Sequence, residues 1–218
     1  GVEGMTTSML NKGAAGLNAD QIAEKFESVG ANFSASASRD SASISLRTLT
    51  LDEQMETALS NWLNVIEKPE FPEADFTRLK KQAMIGLQAE KQNPGSIASK
   101  AFYKNLFVNH PYGQPQNGDE ASINTMTAAD LKSFYKQYFV NKNGQIALVG
   151  SIDKQQAVNI AERVSKALTG LDRGNGVKAD AIPKVKPLTE AKTVRIPYPS
   201  SQAHVYIGQP GNKRGDKD

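Results

Sequence analysis

LNADQIAEKFESVGANFSASASRDSASISL, residues 17–46, changes its period once and then holds it. Asn18 is a good N-cap, and Ile22, Phe26 and Val29 recur at helical spacing until Gly30 stops the run. From there the period is two. Phe33, Ala35 and Ala37 alternate with Ser34, Ser36 and Ser38. Ile44 and Leu46 alternate with Ser43, Ser45 and Arg47. This reads as an antiparallel hairpin turning at Arg39 and Asp40, with one wet face and one dry.

The flanks of this stretch are helical. Upstream, GVEGMTTSMLNKG (residues 1–13) has the rhythm of a buried helix, with Val2, Met5, Met9 and Leu10 inside and Gly13 closing it. Downstream, Asp52 is expected to cap a helix carrying Met55, Leu59, Trp62, Leu63 and Ile66. Two prolines in KPEFPEADF break it. A long helix then runs from about Glu73 to Gln92, with Phe76, Leu79, Ala83 and Leu87 on one face and Glu90 and Lys91 facing water. QNPGS stops it, and another helix follows from Ser96 to about Phe107. NHPYGQPQNGDEAS is a loop by composition. Thr127 caps a helix holding Leu131, Phe134, Tyr135 and Tyr138. GQIALVGSID (residues 144–153) reads as a buried strand, and its Asp153 caps a last helix.

Residues 170–187 are rich in Gly, Pro, Lys and Asp and have little periodicity, so they are expected to be a linker. AKTVRIPYP (191–199) and SQAHVYIGQP (201–210) alternate as two further strands. The predicted organisation is one α+β unit over 1–169, the linker, and the opening strands of a second unit over 188–218. The expected fold class is α+β, an antiparallel sheet with helices packed on one face. The chain begins with Gly and ends on a polar turn after a strand pattern, which reads as a piece of a longer polypeptide.

Composition excludes more than it assigns. The 218 residues carry a net charge of +3 and no basic run with interleaved aromatics, which argues against nucleic acid. No apolar run approaches a membrane span. There is no cysteine, so disulfides, thiol catalysis and Cys-based metal sites are all excluded. The two histidines, His110 and His204, lie on opposite sides of the linker. His110 reads as a loop residue making a structural hydrogen bond, and His204 as a residue on the wet face of a strand. With no histidine nearby, the hairpin serines lack a base to activate them. GSIDK lacks the spacing of a phosphate loop and reads as a strand end plus cap. The residues alone therefore give an α+β chain with no catalytic constellation.

Three stretches together resemble the pitrilysin/insulinase-like zinc metallopeptidases, the inverzincins, a family that includes processing peptidases and respiratory-complex core proteins. They are residues 17–46, KQNPGSIASKAFYKNLFVNHPYGQPQNGDEASINTMTAADLKSFYKQYFV (91–140) and GQIALVGSID. The resemblance implies one half of a LuxS/metallopeptidase-like clamshell whose first strands precede this chain. In active members the opening helix carries H-x-x-E-H, two zinc ligands and a general base, and the long helix adds a Glu ligand. That frame falls on Gly4, Thr7 and Ser8, and the distal Glu position on Ile85, with Gly86 beside it.

None of these residues supplies the lost chemistry. Zinc lowers the pKa of its water from ~15.7 to about 7, roughly 12 kcal/mol at ~1.36 kcal/mol per unit, and no nearby Ser or Thr replaces that. The resemblance thus implies a non-catalytic homologue without zinc. Its expected role is partner or substrate-holding subunit of an active peptidase of the family, a separate chain or the second half of its own. The alternative is a structural or assembly scaffold without peptide handling. The resemblance also marks Asn32, Phe33, Ser34, Ala35 and Ser36 as the edge strand that pairs with an extended peptide in active members. It suggests the bacterial periplasm as the location.

Overall fold

The computed structural model describes residues 1–169, 176–213 and 215–216. The order begins α1 (Val2–Met9), β1 (Gly13–Ala14), β2 (Leu17–Asn18), α2 (Ala19–Glu27), β3 (Asn32–Ala37) and β4 (Ala42–Arg47). It continues with α3 (Asp52–Glu67), α4 (Glu73–Lys91), α5 (Pro94–Leu106), α6 (Glu120–Thr125), α7 (Ala128–Tyr138) and α8 (Lys154–Ala167). The fold is α+β and helix-rich, with two small antiparallel sheets, β1–β2 and β3–β4.

The period-two stretch forms the predicted hairpin. Phe33 stands opposite Leu46 and Ala35 opposite Ile44, while the serines of both strands face water. The dry face packs on the core, where Phe26 of α2 stacks on Phe33 with ring centroids 5.6 Å apart. α1 lies against β3, α4 and α7. Met9 and Leu10 are fully buried among Ile22, Val65 and Leu131. From α7, the Tyr135 hydroxyl donates to the Ile66 carbonyl at 2.6 Å, tying α7 to the end of α3.

Capping chemistry fixes several helix starts. Asn18 with Gln21, Thr127 with Asp130 and Asp153 with Gln156 each form a reciprocal capping box. Asp52 is instead the first helical residue, because Leu51 occupies the cap position and has no side-chain oxygen to offer. α1 ends at Met9. Gly13 opens β1, where an added Cβ would come 2.7 Å from the Pro72 ring.

Other expectations are corrected as well. Residues 144–152 form no strand, and Val149 is 99% exposed. A hydrophobic run fixes neither its partner nor its register, and among the described residues β4 pairs only with β3. Residues 191–199 and 201–210 are likewise unpaired; they drape over α5 instead. Tyr206 packs on Phe102, the Tyr198 hydroxyl donates to the Gln92 carbonyl, and His204 sits beside Gly95 rather than on a strand face.

The loop after His110 contains a helix. Asp119 caps α6 through a box with Ser122. Glu90 and Lys91 do not simply face water: Glu90 is bonded by Lys100 and Asn117, and Lys91 pairs with Glu120 at 2.6 Å. Of the expected linker, residues 170–175 lie outside the described residues. Residues 176–187 are irregular but anchored, since the Val177 amide donates to the Gln137 carbonyl at 2.7 Å and Asn143 donates to the Val177 carbonyl.

Candidate functional site

α1 has a bare face. Gly4 and Ser8, four residues apart, are exposed on it, while Met5, Thr6 and Thr7 turn inward. Opposite stands α4 with Ala83, Gly86, Leu87 and Glu90, and between the two helices lies a cavity of 490 Å³. Val2, Met5, Ile123 and Phe134 contribute apolar surface to it. Polar residues line it as well: Glu3, Ser38, Arg39, Gln114, Gln116 and Asn117.

Of the four ligand-frame positions, Gly4 and Ser8 line this cavity. Thr7 is buried beneath it, and its hydroxyl donates to the Gly4 carbonyl at 3.0 Å. Ile85 is 61% exposed and outside the cavity, whereas its neighbour Gly86 lines it. One residue is about 100° of helix rotation, so the position across from Gly4 and Ser8 is 86.

This donor set does not fit a zinc ion, which takes thiolate, imidazole or carboxylate ligands. Gly4 and Gly86 bring no side chain, Ser8 brings a neutral hydroxyl, and the Thr7 hydroxyl is committed to the backbone. No group of three or more His, Cys, Asp or Glu that could hold a metal occurs among the described residues. His110 is buried, accepts the Tyr112 amide at Nδ1 (3.1 Å) and meets the Pro183 carbonyl at Nε2 (2.9 Å), the structural bond expected of it.

Two carboxylates at the cavity are pushed in opposite directions. Burial raises the Glu3 carboxyl above its ordinary value, offset in part by the nearby amino group of Gly1. The hydrogen bond from Lys100 holds Glu90 below the usual carboxylate range.

The hairpin tip forms one wall, by a clamp that periodicity could not reveal. The Arg39 guanidinium lies over both the Tyr103 and Tyr112 rings, at 5.0 and 5.4 Å from their centroids, and donates to the Tyr112 carbonyl at 2.7 Å. In return the Tyr112 hydroxyl donates to Asp40 at 2.8 Å. Gln116 donates to the Ala37 carbonyl at 3.3 Å, closing that end of β3.

The edge-strand residues Asn32, Phe33, Ser34, Ala35 and Ser36 all lie in β3. They do not line the cavity, but the strand runs into it at Ala37. Among the described residues β3 is paired on one side only, by β4.

A family model described as Insulinase (Peptidase family M16) matches residues 2–120, and one described as Peptidase M16 inactive domain matches residues 125–218. A crystal structure from Pseudomonas fluorescens described as a peptidase M16 inactive domain is 38% identical, with a TM-score of 0.81 over 86% of this chain and 44% of that one. An uncharacterized zinc protease of Rickettsia bellii is 25% identical over 80% of this chain and 42% of its own length. The non-peptidase homolog YmxG of Helicobacter pylori is 24% identical over 96% of this chain and 47% of its own. The chain spans less than half the length of these curated relatives. With more than half of its residues matched by the first model, the chain belongs to the insulinase family, peptidase family M16.

Proposed function

We propose that this chain is a non-catalytic M16 unit that binds no zinc and serves an active peptidase of its family as partner or substrate-holding half. One observation carries the reading: the two helix faces that would hold a zinc ion meet across the cavity as Gly4, Ser8 and Gly86. The similarity to a structure described as an inactive M16 domain, and to a relative named a non-peptidase homolog, supports it.

The free side of β3 is the surface on which an extended peptide would be held. Backbone pairing of this kind is independent of the ligand residues, so it survives their replacement. Zinc content and partner identity test the proposal together. Expected are a metal stoichiometry near zero per chain and co-purification with a homologue carrying intact H-x-x-E-H. One zinc per chain, lost on chelation, would sink it; recovery in a membrane complex without such a homologue would favour a scaffold role. The periplasmic location is part of the same proposal and is read by cell fractionation. No helix among the described residues is long and apolar enough to cross a membrane.

A further inference from the structure

His110 is a buried ionisable group that the peptide-holding surface does not use. It is 7% exposed, and backbone groups take both of its ring nitrogens. Those partners fix its charge. The Tyr112 amide can only donate, so Nδ1, 3.1 Å away, is bare. The Pro183 carbonyl can only accept, so Nε2, 2.9 Å away, carries the proton. The pair of bonds belongs to the neutral ring alone.

The ring joins three parts of the chain. It packs against Phe107, the residue that ends α5, and against Tyr112, with centroids 5.9 and 4.8 Å away. Its bond to the Tyr112 amide caps the turn Pro111–Gly113, and Tyr112 grips the hairpin tip through Asp40 and Arg39. Its bond to the Pro183 carbonyl holds residues 180–197. These are exposed apart from half-buried Val185, and among the described residues no other hydrogen bond ties them to the rest of the chain.

A proton added at Nδ1 would set two N–H groups against each other across 3.1 Å. The imidazolium would also lack a counter-charge. The ionisable groups on the elements around it are Tyr103 and Lys104 on α5, Arg39 and Asp40 at the hairpin tip, Tyr112 in its own turn, and Asp180, Lys184 and Lys186 beside Pro183. No carboxylate bonds to the ring among the described residues. Asp40 is engaged by the Tyr112 hydroxyl, and Arg39, over the Tyr112 ring, adds a like charge. A buried cation without a partner is unfavourable, so the charged ring turns toward water. Nε2 keeps its proton in both forms, but it is the far atom of the ring. A turn that takes Nδ1 off the Tyr112 amide therefore swings Nε2 off the Pro183 carbonyl.

We propose that His110 is an acid-operated latch. Neutral, it fastens residues 180–197 at Pro183 and caps the turn that grips the hairpin tip; protonated, it releases both. The bonds are present at neutral pH and are lost as pH falls through the range in which imidazole takes up its proton, near ~6.5 for an ordinary histidine. The latch is independent of the peptide-holding reading.

The test follows the 218-residue chain by NMR from pH 7.5 to pH 5, with His204→Gln to tell the two histidine rings apart. Expected is one titration step shared by the His110 ring and the amides of Tyr112 and Lys184. Over the same step the heteronuclear NOE of residues 184–196 is expected to fall. The step is expected to persist in His204→Gln and to vanish in His110→Gln, whose amide side chain can accept and donate but does not titrate. A His110 ring that titrates while residues 184–196 stay unchanged overturns the latch, and so does a ring still neutral at pH 5. A step that survives in His110→Gln also overturns it.

Discussion

The two sides of α1 are built to opposite specifications. One side is packed to the limit: Met9 and Leu10 are fully buried, and Thr6, also buried, satisfies its hydroxyl on the Val2 carbonyl at 2.8 Å. The other side, one-third of a turn away, carries Gly4 and Ser8 against open space. A helix selected only for stability would fill both sides. The contrast separates what the fold requires of this segment from what the cavity requires. The packed residues belong to the core, and the bare ones hold a volume open.

Substitutions on the two sides should therefore differ in sign. The largest effect is expected on the packed side. Leu10→Ala removes a fully buried side chain from the centre of the core and should cost about 2–5 kcal/mol. Denaturant unfolding measures it, and a loss under 1 kcal/mol would mean that the core is looser than its burial indicates. Next comes Tyr135→Phe. It deletes the buried hydroxyl that donates to the Ile66 carbonyl, for a loss of about 1–1.5 kcal/mol in the same measurement.

On the bare side, Gly86→Ala and Gly4→Ala should each gain up to about 1 kcal/mol, because both improve helix propensity and neither Cβ meets a neighbour. If either variant proves less stable than the parent, the two sides are not distinguished in the way described. The cavity would then be an accident of packing rather than a tolerated cost.

What could be read from sequence was what is local. The boxes at Asn18, Thr127 and Asp153 use partners three residues away, so the cap residues announce themselves, and the hairpin declares its wet face through period two alone. The family frame placed Gly4 and Ser8 on one helical face because their spacing is fixed by the helix. It placed the distal position at Ile85, one residue from the cavity, since counting along a chain cannot settle 100° of rotation. The clamp of Arg39 on Tyr103 and Tyr112 joins residues more than sixty positions apart, and no periodicity reports such a pairing. The same limit explains residues 144–152. Their apolar run says that they seek cover, but not which surface supplies it.

The smallest effect is a difference in sign between two carboxylates of the same cavity. Burial raises the Glu3 carboxyl, so its folded value exceeds that of the unfolded chain, about 4.3 for glutamate. Its favourable contribution is complete below that unfolded value and is lost as pH rises through the raised folded one. Glu3→Gln should accordingly be slightly more stable than the parent at neutral pH, with the gap closing on acidification. Glu90 is held low by the Lys100 hydrogen bond, so its contribution is present above about 4.3 and disappears as pH falls through the lowered folded value. Glu90→Gln should be less stable than the parent at neutral pH, and that gap should also close in acid. Melting temperatures of the three chains between pH 7 and pH 3 read both gaps. Opposite signs at neutral pH that converge in acid would show Glu3 to be a tolerated cost of the open side and Glu90 a fastened part of its wall. Equal signs would place both residues on the same footing and remove the electrostatic half of the contrast.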